Sequence, residues 1–269
     1  MHPYLNIAVR AARLAGNIIT RHLEQLDATK IFEKGLNDLV TFVDKSAEEA
    51  IIDTIYKAYP NHGILGEETG SHPGDDYVWV IDPLDGTMNY VHGFPQFAVS
   101  IAVKYKGQLE HGVVYDPLSQ DLYTATRGAG AQINNRRIRV SNLTGLENAL
   151  IGTSFPFQHR HHGTEYSREP HWAKHLEILR TVQAKCSDTR KIGCASLNLA
   201  YVACGRLDGY WEPGLKEWDL AAGALLVREA GGFVSDFKGE NDFQQSGNIV
   251  TGTHKVHAEL LQIIQKHLD

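Results

Sequence analysis

The run Trp79-Val80-Ile81-Asp82-Pro83-Leu84-Asp85-Gly86-Thr87 constrains this chain more than any other. Tyr77–Ile81 is β-branched and aromatic, the composition of a strand, and it delivers a carboxylate, Asp82, at its end. Pro83 keeps Asp82 extended and removes one backbone donor. Asp85-Gly86 is turn chemistry that lets the chain double back. Two carboxylates and the Leu84 carbonyl are thereby brought toward one point. Hard oxygen ligands on a tight turn suit Mg2+, which prefers octahedral oxygen coordination and keeps several waters. A turn with two solvated aspartates is the competing reading, and the motif alone does not separate them.

Two further acidic segments bear on the choice. In Gly63-Ile64-Leu65-Gly66-Glu67-Glu68 an apolar strand ends in a glycine followed by two glutamates. In Trp218-Asp219-Leu220-Ala221-Ala222-Gly223 the aspartate starts a helix, where it is the ordinary N-cap. An acid behind a Trp and ahead of a nearly uncharged helix also suits a rigid buried ligand. A phosphate monoester resists attack because its own charge repels a nucleophile. Divalent ions neutralise that charge and lower the pKa of a bound water, and they need several carboxylates on rigid elements. Glu67, Asp82, Asp85 and Asp219 supply that number, and a helix beginning near Gly86-Thr87 would aim N–H groups at phosphate.

The rest of the chain reads as mixed α and β, with antiparallel pairing early and alternating elements late. Apolar residues from Leu5 to Leu26 recur at helical spacing and predict a helix over 3–26. Ser46-Ala47-Glu48-Glu49 reads as a capping box opening a second helix that Pro60 stops. Residues 97–105 and 108–115 flank Lys106-Gly107 as a hairpin. Short strands are expected at 122–125, 149–154, 207–212, 233–236 and 248–251. Helices are expected at 171–184, 196–204, 219–230 (closed by Gly231-Gly232) and 255–268. Residues 157–170, with His159, His161 and His162, read as a mobile loop. No repeat, linker or low-complexity tract divides the chain, so residues 1–269 are expected to form one domain with halves 1–140 and 141–269.

Bulk properties exclude some classes. A net charge of −6 and a pI of about 6.1 give no general case for nucleic-acid binding. No apolar run approaches the ~20 residues of a membrane span, and residues 1–6 carry no secretory signal. The 3 cysteines, Cys186, Cys194 and Cys204, lack Cys-x-x-Cys spacing, which argues against a disulfide framework or zinc site and fits a cytoplasmic setting. Gly128-x-Gly130 lacks the third glycine of a dinucleotide fingerprint.

The residues resemble the inositol monophosphatase family. The resemblance rests on residues 79–89 and 218–223, supported by Gly66-Glu67-Glu68 and by Lys34 with Thr41-x-x-Asp44, and it runs from the first helix to the last. Residues 2–13 look like the bacterial SuhB-type branch. It implies a five-layered α-β-α-β-α sandwich of the inositol monophosphatase and fructose-1,6-bisphosphatase type, a homodimer, and Mg2+-dependent, lithium-sensitive hydrolysis with two to three ions per subunit. By that resemblance Glu67, Asp82 and the Leu84 carbonyl hold one ion, Asp82, Asp85 and Asp219 a second, and a third leans on Glu67. Thr87 and Asp44 orient and deprotonate the attacking water, with Glu67 also part of the catalytic set, and Asp85, Gly86 and Thr87 face the phosphate. Gly193, Cys194, Ala195, Glu212 and Asp219 meet the substrate, a small phosphorylated polyol, myo-inositol 1-phosphate first.

Residue chemistry is compatible with those roles. A threonine hydroxyl can relay a proton from water to an aspartate, and Glu212 at a strand end can accept from a sugar hydroxyl, its alternative being a surface salt bridge. Cys194 as a nucleophile has no evident His partner. Two departures from the family pattern stand out. Met88 occupies a place where a second threonine is usual, and Cys194 replaces a smaller or hydroxylated residue. A sugar bisphosphate or 3′-phosphoadenosine 5′-phosphate is an alternative substrate, and SuhB-type kinship implies an alternative of another class, a partner in transcription antitermination. Arg136-Arg137 and Arg190-Lys191 are candidate basic contacts for it.

Overall fold

The computed structural model describes residues 2–23, 35–155 and 169–268. Helix α1 (Pro3–Leu23) opens on a proline, whose missing N–H is one that a helix start leaves unpaired anyway. It buries Leu5, Ala8, Ala12, Ala15 and Ile19 as one stripe. The expected extension through residues 24–26, Lys34 and the His159–His162 cluster lie outside the described residues. Helix α2 (Gly35–Ala58) corrects the expected start near Ser46. Ser46–Glu49 sits inside it, and Glu48 caps nothing in its own helix: its carboxylate is buried and accepts the N–H groups of Glu68 and Thr69. The helix stops just ahead of Pro60, as the pre-proline restriction requires.

Strands β1 (Gly63–Gly66) and β2 (Gly70–His72) pair antiparallel, and β1 runs parallel to β3 (Tyr77–Asp85). Helix α3 (Thr87–Val91) follows directly. A meander then adds β4 (Ala98–Tyr105), β5 (Gln108–Asp116), β6 (Asp121–Thr126), β7 (Gly130–Ile133) and β8 (Arg136–Arg137). Lys106 and Gly107 both take positive φ (50° and 79°), the two-residue turn whose twist matches a hairpin. These 8 strands form one sheet in the order β2-β1-β3-β4-β5-β6-β7-β8.

The remaining chain alternates: β9 (Leu150–Thr153), α4 (Glu169–Gln183), β10 (Asp188–Arg190), α5 (Ala195–Ala203), β11 (Gly209–Glu212), α6 (Glu217–Glu229), β12 (Phe233–Ser235), α7 (Phe243–Ser246), β13 (Ile249–Gly252) and α8 (His254–Leu268). Its 5-stranded sheet has the order β10-β9-β11-β13-β12.

Packing stacks these elements in five layers, α-β-α-β-α. Helices α1 and α2 cover the outer face of the large sheet, where Ile19, Ile51, Trp79, Ile81 and Ile101 join one apolar cluster. Helices α5 and α6 fill the space between the sheets, joining Val80, Val114, Leu199, Leu226 and Tyr210. Helices α4 and α8 cover the outer face of the small sheet through Ile178, Trp211, Val250 and Leu260. Strand β3 is therefore apolar on both faces, Trp79 and Ile81 toward one layer and Val80 toward the other. Its carboxyl end meets the ends of β1 and β11 and the starts of α5 and α6.

Candidate metal and phosphate site

Strand β3 carries Asp82 into the interior, 1% exposed, where its Oδ1 accepts the Leu84 N–H at 3.0 Å. Asp82, Asp85 and Asp219 offer carboxylate oxygens within 4.8 Å of one another. Glu67 completes the group, close enough for its charge to act on Asp82 and lining the same cleft as Asp85 and Asp219. Burial first, then the charges of Glu67, Asp85 and Asp219, push the Asp82 carboxyl well above the usual carboxylate range. All four acids expected from the sequence are thus brought together.

Each acid has its own support. Asp85 Oδ2 accepts from Ser196 N and Ser196 Oγ, both at 2.7 Å, and from Cys194 Sγ at 3.1 Å. Asp219 Oδ2 accepts the Lys216 N–H at 2.7 Å, closing the first turn of α6. The Glu67 N–H donates to Ile81 O at 3.1 Å, holding Glu67 beside β3. Gly86 takes φ 90°, and a Cβ there would lie 2.8 Å from Gln96 O, so the turn needs glycine on two counts.

A cleft of about 300 Å³ opens onto the group. Glu67, Asp85, Gly86, Thr87, Asp219 and Glu212 line it, as do Gly193 and Ala195, while Met88 stands at its edge. Thr87 Oγ1 donates to Leu84 O at 3.1 Å. Cys194 lies behind the wall; burial and then Asp85 push its thiol well up, which keeps it protonated and leaves it as a donor. Asp44 also lies behind the wall, buried on α2, where its charge adds to burial in raising the Tyr90 hydroxyl. Glu212 is buried and accepts from Tyr210 Oη; burial leads in pushing its carboxyl up to about 8.

Sequence reasoning missed Ser196, Ser154, Phe155, Lys216 and Glu48. Ser196 sits one residue past the expected Gly193–Ala195 stretch, and nothing in its neighbours marks it. Glu48 carried a misleading signal, the capping-box pattern.

The description of the Inositol monophosphatase family matches residues 1–269. The chain belongs to the inositol monophosphatase family. A relative from Pseudomonas aeruginosa named "Nus factor SuhB" is 53% identical over 272 residues, spanning 100% of this chain and 98% of its own. The extragenic suppressor protein suhB of Bartonella henselae superposes with a TM-score of 0.86 at 39% identity, covering 98% of this chain and 100% of that one. A Staphylococcus aureus inositol monophosphatase II, solved with inositol monophosphate bound, gives a TM-score of 0.80 at 30% identity, covering 100% of this chain and 96% of that one. The inositol monophosphatase family and its five-layer fold are thereby established here. Among the described residues no helix is long and apolar enough to cross a membrane.

Proposed function

We propose that this family member is a Mg2+-dependent phosphomonoesterase that converts a small phosphorylated polyol, myo-inositol 1-phosphate first, to the polyol and phosphate. The convergence of Glu67, Asp85 and Asp219 on the lining of one cleft, with Asp82 buried against them, carries this reading. The donors are all oxygens, the chemistry Mg2+ takes. Their mutual repulsion, expressed in the raised Asp82 carboxyl, is what a divalent cation relieves.

Glu67, Asp82 and the Leu84 carbonyl would hold one ion, Asp82, Asp85 and Asp219 would hold a second, and Glu67 would also support a third. Bound there, Mg2+ supplies charge neutralisation for the phosphate and a more acidic water. Thr87 then orients the attacking water and passes its proton to Asp44, which lies too deep to line the cleft itself. The Gly86 and Thr87 amides grip phosphate oxygens. Glu212, with the Gly193–Ala195 stretch beside it, selects a polyol hydroxyl. The protein acts as a cytoplasmic homodimer.

The test is phosphate release from myo-inositol 1-phosphate with and without Mg2+. The parent is expected to turn over only with Mg2+, and Asp85→Ala to lower kcat/KM by at least about 100-fold. Retained activity in Asp85→Ala overturns the mechanism. Turnover of 3′-phosphoadenosine 5′-phosphate or a sugar bisphosphate in its place keeps the mechanism and changes the substrate.

A second reading has one specific support, the name "Nus factor SuhB" of the 53% identical relative. Under it the chain also joins a transcription antitermination complex by surface contacts. Arg136 and Arg137, exposed on the edge strand β8, are available for this. Capture of elongation factors equally by the parent and Asp85→Ala supports it, and capture by neither removes it.

A further inference from the structure

Glu48 is a carboxylate with 0% exposure, outside the acid cluster, on a helix whose expected cap role it does not fill. Among the described residues it forms no ion pair. Burying an unpaired carboxylate is expensive unless its oxygens are hydrogen-bonded, and here both are. Glu48 Oε1 accepts the Thr69 N–H at 2.7 Å and Oε2 the Glu68 N–H at 3.1 Å. These are the two amides immediately after Glu67. On its other side Glu67 is tied to β3 by its N–H to Ile81 O. Gly66 makes the approach feasible: a Cβ there would lie 2.5 Å from Glu48 Oε1 and 2.7 Å from its Cδ. Four residues back on the same face of α2 stands Asp44.

We infer that Glu48 is a positioning residue of the metal site, clamping the turn after Glu67 from α2 so that Glu67 stays at Asp82 and in fixed register with Asp44. This rests on the proposed metal-dependent function and adds to it a support that neither touches the ion nor faces the cleft. The clamp acts through acceptor geometry. Glu48→Gln keeps the size but turns one acceptor into an NH2 that opposes a backbone N–H. Gly66→Ala keeps the carboxylate but displaces it.

Mg2+ alone is titrated calorimetrically into the full-length parent and both variants, with the fold checked by circular dichroism. Both variants are expected to bind Mg2+ about 10–100-fold more weakly, the usual cost of losing an outer support. At saturating Mg2+ the substrate KM is expected to stay at the parent value, and an unchanged circular dichroism spectrum at the titration temperature excludes a lowered folded fraction as the cause of weaker Mg2+ binding. A folded variant that binds Mg2+ with parent affinity overturns the inference while leaving the proposed function intact. A parent that binds no Mg2+ overturns both. Hydrogen exchange in the metal-free parent gives a check that needs no variant. The Glu68 and Thr69 amides are expected to exchange as slowly as those of β3, and fast exchange at both overturns the clamp.

Discussion

The two ends of β3 are buried in opposite ways. At the amino end, Trp79 Nε1 donates to His62 Nδ1 at 2.9 Å. His62 is stacked between Tyr59 (4.7 Å, 7°) and Tyr77 (4.8 Å, 15°), with Tyr4 edge-on to it. Polar groups there satisfy one another and burial keeps the imidazole neutral. At the carboxyl end, Asp82 is as deeply buried, yet its neighbours are three more carboxylates. Burial of polar side chains therefore does not by itself mark a site. Burial of several like charges against one another does.

The largest expected effect comes from breaking the acidic end. Asp82→Asn is expected to lower kcat/KM by at least about 100-fold and, with chelator present, to raise the melting temperature because one member of a repelling set is gone. Mg2+ at about 100 times its Kd is expected to stabilise the parent by about 2.7 kcal/mol and the variant hardly at all. Differential scanning with and without Mg2+ measures both; equal stabilisation of the two proteins would show that the ion binds elsewhere.

The amino end is expected to respond in stability alone. Trp79→Phe leaves His62 Nδ1 without its donor and is expected to cost about 1–3 kcal/mol, read as a shifted urea midpoint, with the Mg2+ dependence of hydrolysis unchanged. The same end sets a pH dependence. Burial lowers the His62 pKa, against a smaller opposing pull from Asp75. Burial and then His2 lower His111 to about 4. Both rings are neutral when folded and protonate near the ordinary imidazole value of 6.5 when unfolded. The contribution of each is complete above that value and is lost as pH falls below it, for His111 between 6.5 and about 4. His111→Gln is expected to flatten that loss, and a urea midpoint series across the window tests it.

The sequence showed the acidic end more clearly than the rest because its signals are local. A strand that is apolar on both faces, a proline, and Asp-Gly fix the turn at Asp82–Gly86 with little help from tertiary structure. Long amphipathic helices such as α1 were legible for the same reason. Three-residue strands such as β2 and β10, and the two-residue β8, carry too few positions for any period to show. They exist because a neighbouring edge offers hydrogen bonds. The start of α2 was misplaced because Glu48 matches a local cap pattern while its partners, Glu68 and Thr69, lie 20 and 21 residues away. Ser196 contacts Asp85 across 111 residues, a distance no motif spans. Outer supports are thus the least legible part of such a site.

The smallest effect should come from Met88, next to Thr87 on α3 and 51% exposed at the cleft edge. It is apolar at the acidic end of β3, so it blurs the contrast between the two ends. It lines the cleft outside the carboxylate group, so under the proposed function it would bear on the polyol and not on the ion. Met88→Thr is expected to change stability by less than about 0.5 kcal/mol and the KM for inositol 1-phosphate by less than about 10-fold, with kcat and the Mg2+ dependence kept. Steady-state kinetics decides the point. A fall in kcat matched by the same fall in kcat/KM would mean that Met88 acts in the transition state, and the acidic end would then owe part of its chemistry to an apolar side chain.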